Sequence, residues 1–281
     1  MERYVYREED EFGTETVTIR VGTGDKAKDF TVYEKFIRAS SAFVDNALKG
    51  PWLESTSRTI SLPEFAPNPF DRYHRWLLTG RLYSKTSLSK TIEDCKEHCH
   101  IVEASMQTQH THRLFHEFYR LSKLAELGHY LLDETFTDTI NDAILSCMDE
   151  YRKSSTQFPV REASDRYKAL PVTSLTRSLI SDIAAWTVTG NKLAAYRKTM
   201  EESNIKLCPD FSMDVLVAMA QRLTSRPTPK SPFDDWETSC KYHSHGEEKP
   251  CYREKLKEIN SSQKKRPTPD DSEATSAKRQ K

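Results

Sequence analysis

No run of about 18 apolar residues occurs in this 281-residue chain, so nothing in it reads as a membrane span. The opening residues carry charges at Glu2, Arg3, Arg7, Glu8, Glu9 and Asp10 and lack an apolar h-region, so no signal peptide is expected. An excess of one charge is missing too. Lys plus Arg number 42 and Asp plus Glu number 42, for a net charge of zero. A global basic field for nucleic acid is therefore not expected. No phosphate-cradling Gly-Lys-Ser/Thr loop, Gly-x-Ser-x-Gly elbow or His-Glu-x-x-His helix occurs, which argues against an enzyme and against a catalytic cofactor. Cysteine is present but scattered, at Cys95, Cys99, Cys147, Cys208, Cys240 and Cys251. A secreted disulfide scaffold concentrates its cysteines in a short chain, so a reducing compartment fits better.

What is present points to an α+β fold. Val17, Ile19 and Val21 alternate with polar residues, as do Phe30 and Val32, which predicts two half-buried strands around the turn Gly22-Thr23-Gly24-Asp25. That turn also spells Gly22-x-Gly24-x-x-Ala27, a formal dinucleotide fingerprint. The fingerprint needs a helix directly afterwards. Asp29-Phe30-Thr31-Val32 reads as a strand, so a hairpin turn is the better reading. Ser40-Ser41 can cap a helix through Phe43, Ala47 and Leu48, stopped by Gly50-Pro51. Ile60 and Leu62 predict a third strand. Asn68-Pro69 predicts a helix start, with Phe70, Tyr73, Trp76 and Leu77 at helical spacing up to Gly80.

Residues 84–112 are polar and read as an exposed insertion. Leu114, Phe118, Leu121, Ala125 and Leu132 then form one stripe, and Phe136, Ile140, Ala143, Ile144 and Cys147 another, which predicts a helical hairpin. Further stripes follow at Leu175, Leu179, Ile183, Trp186 and at Met213, Leu216, Val217, Ala220, Leu223. After Arg226 the aliphatic residues nearly vanish, and residues 226–281 are expected to be largely disordered.

Four segments, in order, resemble a BTB/POZ domain of the style found in many fungal proteins. They are Phe30-Thr31-Val32; Ser41-x-Phe43 with Ala47-Leu48-Lys49-Gly50-Pro51-Trp52-Leu53-Glu54; Ile60-Ser61-Leu62-Pro63-Glu64; and Trp76-Leu77-Leu78-Thr79-Gly80-Arg81-Leu82. The Leu114–Tyr151 hairpin is similar to the family's closing helices. The resemblance implies that Trp52 packs on the loop after the second helix. Two positions depart from the family. Tyr33-Glu34 stands where many members have His-Lys, and Glu15-Thr16 where many have Asp; in dimeric relatives charges near these positions line the dimer interface.

The domains implied are a disordered N-terminus at 1–14, the BTB/POZ domain at 15–151 (a small mixed sheet with a helical cluster), an all-α extension at 152–225 and a basic Cys/His-containing tail at 226–281. The resemblance also implies a non-enzymatic adaptor whose partners are proteins: itself, a transcriptional regulator, or the cullin scaffold of a ubiquitin ligase. Its partner face would be Asn68–Thr79 with Leu114–Tyr130. Asp71, Arg72, Arg75, His116, Phe118 and Arg120 are the residues expected to meet the partner.

Three polar groupings remain. Cys95, His98, Cys99 and His100, with His110, His112 and His116, are cramped and read as incidental to the insertion. Cys240-x2-His243-x-His245-x5-Cys251 puts four soft or borderline ligands within twelve residues. A metal such as zinc could supply there the folding free energy that apolar burial cannot; chance ligands in a disordered tail are the alternative. Lys264-Lys265-Arg266 and Lys278-Arg279-Gln280-Lys281 have the layout of a bipartite nuclear-import signal, which predicts a nuclear or nucleocytoplasmic protein. The alternative function is a nuclear regulator acting through a zinc- or nucleic-acid-binding tail.

Overall fold

The computed structural model describes residues 13–87, 106–154, 158–204, 206–246 and 249–254. The chain is mixed α+β, with a small sheet followed by helices. The strands and helices described below lie in the first of two compact units, Met1–Ser244; the second starts at His245.

Strand β1 (Thr16–Val21) pairs antiparallel with β2 (Lys28–Tyr33) and parallel with β3 (Thr59–Leu62), giving the order β2-β1-β3. The alternation seen in the sequence sets the register. Ile19 faces Phe30 on one side and Ile60 on the other, and all three are buried. A slip of one residue would turn this row to solvent. The β1–β2 turn leads through a short 3-10 turn (Gly24–Lys26) into β2, so no helix N-terminus stands where a pyrophosphate would need one. Gly22 and Gly24 sit at φ 90° and 57°, the left-handed region a turn of this kind demands.

Between β2 and β3 run α1 (Glu34–Ser40), α2 (Ala42–Lys49) and α3 (Leu53–Ser57). Ser41 caps α2: its Oγ accepts from Val44 N at 3.1 Å and donates to Leu131 O at 2.6 Å. Glu34, in one of the two dipeptides noted above as departing from the BTB/POZ pattern, is buried. Arg38 and Arg58 both pair with it, so its charge is neutralised within the fold. Trp52 lays its ring where a Cβ on Gly50 would sit, yet it remains 61% exposed. Helix α4 (Pro67–Thr79) starts two residues earlier than expected, with Ala66 as N-cap and Pro67 inside, because Pro67 and Pro69 both suit the first turn. Gly80 ends it at φ 63°.

Helices α5 (Met106–Leu131) and α6 (Glu134–Lys153) form the expected hairpin, and α5 begins inside the segment expected as an insertion. Leu132 is not part of the buried stripe. It occupies the bend at φ 54° and is exposed. The two helices close on Gly128, where a Cβ would come within 2.8 Å of Thr137 Oγ1. The extension adds α7 (Val160–Tyr167), α8 (Leu175–Thr187), α9 (Gly190–Ser203) and α10 (Pro209–Thr224).

Two expectations are corrected here. On α10 the buried or half-buried positions are Phe211, Ser212, Val215, Ala218, Met219 and Arg222, while Met213, Leu216, Val217, Ala220 and Leu223 face outward. The helix is apolar nearly all round, so periodicity alone could not choose the face. Residues 226–246 are also not a loose tail. Phe233 and Tyr242 are buried in the common core with Trp236 packed against it, and Arg152 lies over the Phe233 ring at 4.6 Å. Three aromatics compensate for the missing aliphatics.

Candidate functional site

The expected partner face resolves into a cleft of about 880 Å³ between α4, α5 and α7. Of the six residues expected there, Arg72, His116 and Arg120 line it. Phe118 does not meet a partner: it is fully buried in the core, because position 118 falls on the inward stripe of α5. Asp71 and Arg75 also lie outside the cleft lining and pair with each other one turn apart at 2.9 Å. Arg72 and Arg120 are tied to the chain leaving α4. Arg72 donates to Tyr83 O and to Asn68 Oδ1, and Arg120 donates to Ser84 O at 2.9 Å. Ser84 Oγ in turn donates to Glu117 at 2.5 Å.

Sequence reasoning missed the opposite wall. Phe158, Arg161, Glu162, Asp165 and Arg166 come from α7 and the residue pair before it, and Phe115, Tyr119 and Lys123 join from α5. Their signal was the short amphipathic run Val160–Tyr167, which buries Val160, Ala163, Ser164 and Tyr167 and turns the charged residues to the cleft. Cationic side chains outnumber anionic ones in the lining: Arg72, Arg120, Lys123, Arg161 and Arg166 against Glu162 and Asp165. Arg166 is shared between Glu126 at 3.3 Å and Glu162 at 3.5 Å, and Lys123 pairs with Glu126 at 3.2 Å. Burial in this wall raises the Glu162 carboxyl above the usual carboxylate range.

The second site is the Cys/His loop. One donor atom each from Cys240, His243, His245 and Cys251 lies within 4.8 Å of the others, so the cluster can hold a metal ion. A zinc tetrahedron with Zn–S of about 2.3 Å and Zn–N of about 2.0 Å has edges of roughly 3.3–3.8 Å, so the widest pair closes by about 1 Å around an ion. Two sulfurs and two imidazoles suit zinc and not a hard cation such as calcium.

The loop is docked by polar residues. Asp138, Asn141 and Asp142 form one buried face of α6, at i, i+3 and i+4. Ser244 N donates to Asp138 Oδ1 at 2.7 Å, Asn141 Nδ2 donates to Tyr242 O at 2.8 Å, and His243 Nε2 lies 3.0 Å from Asp142 Oδ1. On α8, Asp182 Oδ2 accepts from both Lys241 Nζ and Tyr242 Oη at 2.7 Å. Burial, and after it that carboxylate, push the Tyr242 phenol far up. A buried polar face of this kind costs free energy unless each group is paired, and here the loop supplies the partners.

One further arrangement looks like chemistry. His129 Nε2 lies 2.7 Å from Ser174 Oγ and 3.0 Å from Thr176 Oγ1. Ser174 is the N-cap of α8 and accepts from Thr176 N at 3.1 Å, and Thr176 Oγ1 donates to Asn141 Oδ1 at 2.8 Å. The pair thus belongs to a network joining α5, α6 and α8 to the loop. Burial brings the His129 pKa down to about 4.

Cys95, His98, Cys99 and His100 lie outside the described residues, as do Lys264, Lys265, Arg266, Lys278, Arg279 and Lys281. No helix among the described residues is long and apolar enough to cross a membrane. No family model, curated protein or solved structure matches the chain.

Proposed function

We propose that the chain is a non-enzymatic protein-interaction adaptor whose BTB/POZ-like body offers the α4–α5–α7 cleft to an acidic segment of a protein partner. The cleft carries the reading. It has an aromatic floor from Phe115, Tyr119, Tyr151 and Phe158, and more cations than anions on its walls. An acidic segment with apolar side chains complements both. The mixed β2-β1-β3 sheet, the helices between β2 and β3 and the closing hairpin support the family reading. By the resemblance, the partner class to try first is a cullin scaffold. Arg72 and Arg120 hold the chain after α4, so a test on them would confuse folding with binding. Arg161→Glu is the cleaner variant. Wild type should bind purified cullin N-terminal domain at micromolar concentration or better, and the variant at least ten-fold more weakly with an unchanged melting temperature. No binding by the wild type at tens of micromolar ends the ligase-adaptor version.

The Cys/His loop favours a second element of the reading, a structural zinc ion. Purified protein should carry one equivalent of zinc, and Cys240→Ser/Cys251→Ser should lose it. Equal metal content in the two proteins would remove the site. The basic clusters beyond residue 260 complete the proposal by directing the protein to the nucleus. Alanine at Lys264, Lys265 and Arg266 should shift a tagged protein toward the cytoplasm.

A further inference from the structure

Zinc in the Cys/His loop, on which this inference rests, would need each histidine to present a lone pair to the ion. The hydrogen bonds decide which nitrogen does so. His243 Nε2 lies 3.0 Å from Asp142 Oδ1, and a carboxylate only accepts. Nε2 therefore carries the hydrogen and Nδ1 the lone pair. His245 Nδ1 lies 2.6 Å from Gly246 O, a carbonyl, so there the order is reversed and the lone pair sits on Nε2, which is buried. Each ring thus has its N–H held by an acceptor and its lone pair turned to the remaining side. Metal-bound histidines are oriented in this way by a carboxylate or carbonyl behind them, which fixes the tautomer and raises the basicity of the ligating nitrogen.

We propose that Asp142 is a positioning residue for a zinc ion, holding His243 as an Nδ1 ligand, and that it thereby makes metal affinity depend on the docking of the loop on α6. The neighbouring contacts set the comparison. Asp138 Oδ1 binds the loop through the backbone N–H of Ser244, whereas Asp142 meets the His243 ring. Asp138 therefore serves as the comparison for docking. Asp142 and His243 are also close enough for a plain ion pair if the imidazole is doubly protonated, in which case His243 ligates nothing.

The experiment is zinc competition against a chromophoric chelator on the full chain, for wild type, Asp142→Asn and Asp138→Asn, with ¹⁵N spectra of the histidine rings in the zinc-loaded protein. Asn keeps the size of Asp and an acceptor oxygen, so Asp142→Asn still folds and still saturates with one equivalent. Its zinc affinity should fall 10- to 100-fold, as changes behind a metal ligand do. Asp138→Asn should lose less than a third of that factor on a logarithmic scale. In wild type, His243 should be metal-bound at Nδ1 and protonated at Nε2. Equal losses in the two variants, an unchanged affinity in Asp142→Asn, or a doubly protonated His243 overturns the positioning role while leaving zinc in place. A wild type that takes up no zinc overturns the metal reading itself.

Discussion

Asp133 stands in the bend between α5 and α6, 1% exposed. Its Oδ1 accepts from Phe136 N at 2.9 Å as the N-cap of α6, and its Oδ2 accepts from Tyr73 Oη of α4 at 3.0 Å. Burial outweighs both hydrogen bonds and raises its pKa to about 7, with Asp138 and Glu134 adding to the rise. A carboxyl raised in the folded state binds its proton more tightly there than in the unfolded chain. Its stabilising contribution is therefore complete below the unfolded value of about 4, is lost as pH rises, and levels off above about 7. His129 works the other way. With its folded pKa near 4, it costs stability as pH falls below about 6.5. A comparison of wild type with Asp133→Asn cancels the His129 effect. Asn retains an acceptor for Phe136 N and carries no charge. Between pH 5 and pH 8 the Asn variant should gain on wild type by about 2.7 kcal/mol, from about 1.4 kcal/mol per pH unit up to the folded pKa. Urea unfolding at the two pH values measures this, and a constant difference would show that Asp133 does not titrate in that range.

At the scale of elements, the sequence was legible wherever a segment has one apolar face. The alternation in Val17–Val21 and Phe30–Val32 gave the hairpin and its register, and the turn residues Gly22 and Gly24 separated it from a nucleotide loop. The α5–α6 hairpin followed from two clear stripes. Legibility failed for two different reasons. Helix α10 has apolar residues on every side, so Met213, Leu216, Val217 and Leu223 fit a buried stripe as well as Phe211, Val215, Ala218 and Met219 do; packing against α8 made the choice. The segment after Arg226 was misread because its burial does not run on aliphatics. Asp138, Asn141 and Asp142 looked like the polar side of an amphipathic helix, and nothing local says that a chain about 100 residues away covers them. The four positions that could hold a metal were legible from residue type alone. The residue behind His243 was not, because Asp142 joins it only through the fold. In the cleft, the α4 and α5 positions came from the resemblance, whereas the α7 wall depends on how the extension folds back.

At the scale of the whole molecule, the consequence concerns where order ends. The composition places a boundary at 226, while the packing of Phe233, Trp236 and Tyr242 carries the ordered chain to the Cys/His loop. Beyond Glu254 the sequence has only Leu256 and Ile259 as large apolar side chains. The segment between these limits depends on a few aromatics, a set of polar contacts and, on the zinc reading, the ion. A ligand that binds only the docked form stabilises it by RT ln(1 + [L]/Kd), or about 2.7 kcal/mol at 100 times Kd. That suppresses opening of the segment about 100-fold. Proteolysis of an opened segment follows its open population when closing is faster than cutting. A nonspecific protease acting on zinc-loaded protein should therefore trim residues 255–281 quickly and leave a fragment ending near residue 254. With a chelator present, cleavage within 226–246 should accelerate by up to about 100-fold and the fragment should shorten to about residue 225. Mass spectrometry of the digest over time reads both end points. A fragment ending near 254 at the same rate with and without the chelator would mean that the aromatics and the α6 polar face hold the segment without help from the metal.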